Sequence, residues 1–476
     1  MVTKTAMMSE FREKLKDKVA KTSPGSTTVQ QKGKIQRVPA VLREQKELGQ
    51  YFEPRWISFG PIHYGKPKLK AAEKHKLELV AKFIRDNGYK SDEELYGEIK
   101  IGIDGLIWEC FDEEAFDKDF DKETLNWILF FDGCTILQFI HSCSKKDDFK
   151  ELKIKNDQIA FINHDLFLLE NQIPYRVLEL LMNAKKVSKK EELQKSLKNF
   201  IRKNVMAPEK YQKDFKVDAN MAHLLDLLRV ALIQPSEPDP KPAHRCELPL
   251  RNPQKEGTDS RKNVDAENPP EPSQAVLSDK KKEGTKDFEQ QSFRSVQDLR
   301  AAGINLKPSK SCSLNDIKFT SVRFAGELEL PRLIVDDSMA PKFMNLIAYE
   351  MCPDNMETKY EVTSYICFLD SLIDYPADVK ELRTAEILNN LLGCDKDVAR
   401  LFNRIATDLV PNLKVYEKVI EKIEKHYKNR WMTWMAQVYS DHFSTPWTIV
   451  TFFAAVLALF MSGVQTWFTV YSPPDA

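Results

Sequence analysis

Hydrophobic positions are unevenly distributed along this chain, and the densest run lies at its C-terminus. No Lys, Arg, Asp or Glu occurs from Phe443 to Pro474. A bilayer core about 30 Å thick requires about 20 mostly apolar helical residues, and this run supplies them. Trp447 and Trp467 lie near its ends, where amphipathic rings favour the headgroup region. The pattern predicts a transmembrane helix over 444–471, followed by a short tail over 472–476.

Upstream, the apolar residues recur at the three- and four-residue steps that are typical of helices. In the first half, these steps predict helices over 70–85, 125–143, 165–182, 192–205 and 221–233. Pro174 fits the first turn of a new helix. The sequence therefore predicts a helical lobe over 38–234.

A second lobe is expected over 293–443. Two runs, Ile317–Phe324 and Gly326–Val335, alternate with period two and predict a small β-hairpin or meander. Helices are expected over 341–350, 361–374, 379–385 and 396–409, with Asp395 as the N-cap of the last. Ser295 and Asp298 resemble a capping box, and Gly303 fits the position after a helix end.

One long amphipathic pattern closes the second lobe. Apolar residues recur over 414–443 at helical spacing, which predicts a helix that rests on the body or on the membrane surface. The fold class expected from these patterns is mainly α with a small β-hairpin or meander. It forms a single large helical body with one C-terminal transmembrane helix.

Two stretches lack the apolar residues that a core needs. Pro residues and charges crowd 235–292, so ordering this stretch would cost more entropy than its burial could offset. We expect a disordered linker there and a flexible arm over 1–37.

Composition changes the picture in two respects. Lys and Arg number 71 and Asp and Glu also number 71, so no basic field points to nucleic acid. The 8 Cys residues are scattered without a CxxC pair, no Asn-x-Ser/Thr sequon occurs, and the N-terminus has no apolar signal region. These observations favour a cytosolic body with reduced thiols.

Charge beside the apolar run predicts its orientation. Positive residues precede the run and none follows it, which places the N-terminal side in the cytosol. They are Lys414, Lys418, Lys422, Lys425, Lys428 and Arg430. The expected location is a plasma membrane or endomembrane, with a single-pass C-terminal anchor.

Templates for catalysis and cofactor binding are missing: the sequence has no GxxxxGK[ST], GxGxxG, HExxH or GxSxG. The spacing of Cys134, His141, Cys143 and His164 fits no zinc site, and packing is favoured over metal binding. Asp370 and Asp374 share a helix face and could hold Mg²⁺, but such pairs are common on solvated helices. No catalytic, cofactor-binding or metal residue is therefore assigned.

Polar residues inside an apolar run pose a different question, because buried polar groups must find partners. Asp165, Glu170, Asn171 and Gln172 lie in such a run. We interpret Glu170 to Gln172 as groups that bond the exposed amides of the next helix start. A ligand or catalytic site is the alternative, and His63 is expected to bond its own loop.

The apolar run also carries small residues four apart, Ala454, Ala458 and Ser462, with Thr451 and Ala455 beside them. Such spacing lets two membrane helices approach closely, and Gln465 could add a hydrogen bond between them. A homo-oligomer through this helix is therefore a hypothesis.

An ordered series of short motifs resembles a plant family known as domain of unknown function 247, from about Val38 to Tyr471. The residues that carry the resemblance are Val38-Pro-x-x-Leu-Arg43, Gly60-Pro61-x-His63, Asp132-Gly-Cys134, Asp165-x-x-Leu-Leu-Glu-Asn-Gln-Ile-Pro174, His223-Leu-Leu-Asp-Leu-Leu-Arg229, Leu330-Pro-x-Leu333, Asp336-Asp337, Asn345-Leu-Ile-Ala-x-Glu350, Thr363-Ser-Tyr365, Leu392-Gly-x-Asp395, Val398-Ala-x-Leu-Phe-Asn403 and Pro446-Trp447.

The chain departs from the family pattern at His63-Tyr64-Gly65, where the family usually has His-His-Gly, and at Gln138, where it usually has Glu. The resemblance implies a C-terminally anchored membrane protein. The link of some members to grass self-incompatibility implies recognition or signalling, and no reaction is implied.

Two functions follow as expectations. The preferred one is a plant protein tethered to the bilayer that acts without catalysis in recognition, signalling or scaffolding, with protein partners still to be identified. The other is an enzyme whose site lies near His63, Asp165 and Glu170. A cluster of these groups lining a deep polar pocket would favour the enzyme.

Overall fold

The structure is a computed structural model. It describes residues 33–112, 114–116, 120–145, 148–212, 214–217, 221–234, 295–322, 325–353, 358–428 and 446–471. The expected linker over 235–292 lies outside the described residues, as do residues 1–32 of the expected arm and 429–443 of the long amphipathic pattern.

The described chain up to residue 234 is helical throughout. Its α-helices are α1 Ala40–Arg43, α2 Glu73–Asp86, α3 Asp92–Ile103, α4 Leu106–Cys110, α5 Lys122–Ser142, α6 Asp148–Glu151, α7 Asn156–Asp165, α8 Tyr175–Met182, α9 Lys190–Lys203 and α10 Leu224–Ile233. Short 3₁₀ turns lie at Gly49–Phe52, Pro67–Ala72 and Glu209–Tyr211. The 21-residue α5 is buried over most of its length and packs against α2, α8 and α9.

The helix expected over 165–182 forms only in the second half of that range. α7 ends at Asp165 and α8 begins only at Tyr175, immediately after Pro174. Gln172 Nε2 donates to the carbonyl oxygens of Leu166 and Leu168, both at 2.8 Å, and so satisfies acceptors just past the end of α7. The residues between the two helices therefore form a buried turn.

After residue 295, helices alternate with short strands. The elements are α11 Val296–Ala301, β1 Ile304–Pro308, β2 Lys318–Val322, β3 Ala325–Leu330, β4 Leu333–Val335, α12 Met339–Glu350, α13 Glu361–Asp370, α14 Pro376–Thr384, β5 Leu388–Asn390, α15 Asp395–Ile405 and α16 Glu417–Tyr427. The described fold is thus mainly helical with two small sheets, as expected.

Local signals in this half had mixed outcomes. Ser295 Oγ accepts from Asp298 N at 3.2 Å, which is the N-cap half of the expected capping box, and Gly303 has φ +76° just after α11, as expected. Asp395 is not an N-cap: Cys394 holds that position, and the Asp395 carboxylate accepts from Arg383 instead.

The expected hairpin is present, because β2 and β3 pair antiparallel with Val322 opposite Ala325. However, the run Gly326–Val335 does not form one strand. Pro331 separates β3 from β4, and β4 pairs in parallel with β5 in a second sheet. β1, which adds to β3 in parallel, was not predicted.

A single hydrophobic core joins both halves of the described body. α12 lies at its centre, and all of its residues are buried. It packs against α10, α13 and the turn Gly49–Phe52, so the second half of the body completes the first.

The last described helix is α17, Pro446–Tyr471, which lies within the range expected for a transmembrane helix, 444–471. Of the helices described, it is the one long and apolar enough to cross a membrane, and the body covers no part of Val450–Trp467.

Candidate functional site

The polar residues singled out by sequence lie around one segment, residues 53–65, which we call the first loop. Asp165, at the end of α7, holds its beginning. Asp165 Oδ1 accepts from Arg55 N at 2.9 Å, and Oδ2 accepts from Trp56 N at 2.7 Å and Ile57 N at 2.9 Å. One enclosed carboxylate thus satisfies three consecutive backbone donors.

Asn171 and Asp132 hold the middle of the first loop. Asn171 Oδ1 accepts from Phe59 N at 2.7 Å, and its Nδ2 donates to Ile57 O at 3.1 Å. Asp132 Oδ2 accepts from Gly60 N at 2.7 Å, while Asp132 Oδ1 accepts from Lys76 Nζ at 2.7 Å. Burial raises the pKa of Asp132, and the Lys76 ammonium opposes that effect.

At Gly60, the first loop passes close to the backbone carbonyl of Gln172. Its φ is +68°, and a Cβ atom added there would lie 2.5 Å from Gln172 O. A side chain at this position would therefore meet both backbone strain and a fixed carbonyl group.

Glu170 and His63 meet beneath the end of the first loop. His63 Nε2 lies 3.3 Å from Glu170 Oε2, and Arg43 Nη2 lies 2.6 Å from Glu170 Oε1. Neither contact has the geometry of an aligned hydrogen bond, and both ring nitrogens of His63 lack a hydrogen-bond partner among the described residues. His63 thus faces Glu170 and not its own loop, contrary to expectation.

Opposing effects act on the Glu170 carboxyl. Burial by itself would raise its pKa, but His63, Arg43 and the Val38 N–H, which donates to Oε1 at 2.8 Å, outweigh burial and lower the pKa. The side chain of Glu170 is 0% exposed and that of His63 is 1% exposed. This pair is therefore sealed from a solvent-borne substrate.

Gln172 and Asn345 connect the turn between α7 and α8 to more distant elements. Gln172 Oε1 accepts from Leu225 N at 3.2 Å, in the first turn of α10. Asn345 Oδ1, on α12, accepts from Leu169 N at 2.8 Å, and its Nδ2 donates to Tyr51 O at 2.8 Å. Glu170, Asn171 and Gln172 do bond backbone amides, but not those at the start of α8.

A second buried network joins α10, α12 and α13. Arg229 Nε donates to Glu350 Oε1 at 2.9 Å, and Arg229 also pairs with Glu361. Glu350 Oε2 accepts from Thr363 N at 2.9 Å and from Thr363 Oγ1 at 2.7 Å. Burial by itself would lower the pKa of Arg229, but the two glutamates outweigh burial and raise it.

The four Cys and His residues with unsuitable zinc spacing have separate surroundings. Cys134 is enclosed in the core, where burial raises its thiol pKa well above the usual range, and burial raises the pKa of Cys143 to about 12. His141 Nδ1 lies 3.4 Å from Ser196 Oγ, and His164 Nδ1 lies 3.0 Å from Asp165 Oδ1. Within the described residues, no group of three or more His, Cys, Asp or Glu side chains could hold a metal ion.

Asp370 and Asp374 lie at and just beyond the end of α13. Burial, followed by repulsion from Asp374, raises the pKa of Asp370 to about 6. Because the helix ends at Asp370, the two carboxylates do not share a helix face, contrary to expectation.

Sequence reasoning did not assign a role to three residues that organise the body: Asp132, Asn345 and Glu350. Each is a polar residue at the end of or within an apolar helical run, as Asp165 is. That signal was available, but the partners of Asp132 and Asn345 lie far away in sequence: Gly60 is 72 residues from Asp132, and Leu169 is 176 residues from Asn345.

Comparisons with known proteins agree with the motif series. The family model described as "plant protein of unknown function", DUF247, matches residues 35–461. The UPF0481 protein At3g47200 of Arabidopsis thaliana is 26% identical over 438 residues, covering 88% of this chain and 83% of the relative. A second Arabidopsis thaliana relative, UPF0481 protein At3g02645, is 24% identical, covering 88% of this chain and 87% of its own. No solved structure matches the chain.

Proposed function

The chain belongs to the plant DUF247 family, and from that premise we propose that it is a membrane-tethered recognition or scaffold protein without catalytic activity. The observation that carries the proposal is helix α17, whose apolar segment Val450–Trp467 is not buried against the rest of the protein. An exposed run of apolar side chains requires a cover, and a bilayer is the cover that its length fits.

The polar network supports the non-catalytic part of the proposal. A catalytic group must reach the atom on which it acts, within hydrogen-bond distance or through one water. Asp165 and Glu170 instead bind the chain's own backbone and are 0% and 1% exposed. These residues shape the body, so recognition falls to its outer surface.

Attachment is tested by flotation of the full chain with lipid vesicles. A matched variant carries Leu457→Arg and Phe460→Arg in α17, and its body is otherwise unchanged. The proposal expects the parent chain to float after alkaline carbonate treatment and the variant to remain at the bottom. Flotation of neither protein would contradict tethering.

Recognition requires a separate test in plant cells. A proximity-labelling enzyme is fused to the full chain and, as the control, to residues 428–476 alone, which keep Lys428 and Arg430 before α17. Both fusions sample the same membrane, so proteins labelled only by the full chain are neighbours of the body. Identical neighbour sets would contradict a recognition role.

The cytosolic orientation is part of the same proposal. It is supported by the lysines upstream of α17 and the lack of positive residues after it. An N-terminal tag should be digested when protease is added to sealed microsomes. A protected tag would reverse the orientation.

A further inference from the structure

Helix α16 is fixed to the body by one face. Ile423 is fully buried, and the His426 ring packs 5.7 Å from Phe319 of β2. His426 Nδ1 lies 3.0 Å from Ser321 Oγ, and its Nε2 lies 3.2 Å from Ala302 O. These contacts define which face of the helix remains outside.

Lysines dominate that outer face. Lys418, Lys422 and Lys425 are exposed and, at 3.6 residues per turn, lie within an arc of roughly 60°. None of the three has an ion-pair partner among the described residues, whereas Lys428 Nζ lies 3.4 Å from Glu424 Oε2.

Glutamates interrupt this face without cancelling its charge. From 414 to 428 the chain has five lysines, at 414, 418, 422, 425 and 428, and three glutamates, at 417, 421 and 424. Five against three leaves an excess of two positive charges. An anionic surface is therefore the complementary partner.

The chain itself limits how far this face can lie from α17. Pro446 follows Lys428 by 18 residues. Fully extended, that length reaches roughly 60 Å, so the start of α17 stays within that distance of the end of α16. A tether of this kind raises the effective concentration of a weakly binding surface at the membrane.

We propose that the exposed lysine face of α16 binds anionic lipid headgroups in the leaflet that α17 enters. The inference rests on the proposed membrane attachment and adds a second contact, which lays the body on the bilayer. Juxtamembrane lysines are attracted by the negative surface potential of a cytosolic leaflet, and the attraction weakens with salt.

The test is a lysine footprint of the full chain in two kinds of vesicle: phosphatidylcholine alone, and phosphatidylcholine mixed with phosphatidylserine. Brief acylation with a water-soluble ester is followed by mass spectrometry of each lysine. We expect Lys418, Lys422 and Lys425 to react at least about threefold more slowly on the anionic vesicles than on phosphatidylcholine alone. High salt should remove the difference.

Exposed lysines on α9, Lys190 and Lys195, are the internal reference, because α9 is a second basic helix without a neighbouring anchor. Their rates should match between the two vesicles. Protection on α9 but not on α16 would overturn the proposal, and so would equal rates for the α16 lysines.

In a triple variant, K418Q with K422Q and K425Q, the acylation rates of Lys414 and Lys428 report the protection. The same replacements with Arg keep the charge and should retain the protection, while the Gln variant should lose it. Flotation of every sample separates the two proposals: if the chain fails to float, the anchor fails, and if it floats without differential protection, only the lysine contact fails.

Discussion

The first loop and α17 both depart from the usual rule that charged side chains are exposed and apolar side chains are buried. The two regions depart from it in opposite ways. Around the first loop, carboxylates are hidden: Asp165 is 0% exposed and Glu170 is 1% exposed. Along α17, large apolar groups are open: Phe453 is 64% exposed and Leu459 is 74% exposed.

The difference lies in where each region finds its partner. The hidden carboxylates find their partners within the chain: Asp165 and Asp132 accept from backbone N–H groups and Lys76, and Glu170 accepts from Val38 N and lies beside Arg43. The body buries no part of Val450–Trp467, so the apolar side chains there would gain free energy from an apolar medium outside the body. One region therefore shapes the body, and the other is the region on which the proposed membrane attachment rests.

The largest expected effect comes from charging the open region. Leu457→Arg with Phe460→Arg should cost about 2.5–3.5 kcal/mol per arginine for membrane insertion. Most of the chain should move from the carbonate-resistant fraction to the supernatant, while the thermal unfolding of the body stays unchanged. Leu457→Ile with Phe460→Leu is the control and should remain in the membrane.

The first loop should lose its support when the Asp165 carboxylate, the acceptor for three of its backbone N–H groups, is removed. Asp165→Ala leaves the amides of Arg55, Trp56 and Ile57 without an acceptor and should lower the free energy of unfolding by about 3–5 kcal/mol, measured by denaturant titration. Asp157→Ala, at an exposed site on the same helix, should cost less than about 1 kcal/mol. Equal losses for the two variants would contradict the assigned role of Asp165.

Two glycines of the first loop separate backbone strain from close approach. Gly60→Ala should lower stability by about 3 kcal/mol or more, because it adds a clash with Gln172 O to its strained φ. Gly65 has a similar φ of +75° but nothing within 4 Å of an added Cβ, so Gly65→Ala should cost only about 1 kcal/mol. Thermal unfolding of both variants measures the difference, and similar losses would rule out the clash.

The smallest effect is expected at a carboxylate that is only partly hidden. Folding raises the pKa of Asp370 from 3.8 to about 6, so its charge disfavours the folded state above that range. Asp370→Asn should therefore stabilise the protein above pH 6 by about 1 kcal/mol, allowing for solvent screening, and the gain should vanish below pH 3.8. Unfolding measured across this pH range checks the sign, and a gain that persists in acid would contradict it.

Elements with strong local signals could be predicted from the sequence. The long apolar pattern of α5 and the capping pair Ser295 and Asp298 depend on neighbouring residues, and both agree with the structure. The strands were harder. β1 has alternating polar residues, ends in Pro308 and pairs with a strand 22 residues later, so its formation depends on tertiary contacts.

The polar network could be predicted only in kind. A polar residue in an apolar run must find a partner, which indicated correctly that Glu170, Asn171 and Gln172 bond the backbone. Local spacing favours the nearest donors, which are the amides at the start of α8. The actual donors include Phe59 N and Leu225 N, 112 and 53 residues away, and no local pattern specifies such distances.

The contacts of Asn345 have a consequence for the order in which the protein is made. Asn345 accepts from Leu169 N, which lies 176 residues earlier in the chain. Asn345 also donates to Tyr51 O, which lies 294 residues earlier. At about 5–20 residues per second, Leu169 is synthesised roughly 9–35 s before Asn345. The nascent N-terminal half must wait with unpaired groups, so cellular folding factors have a long interval in which to act on it.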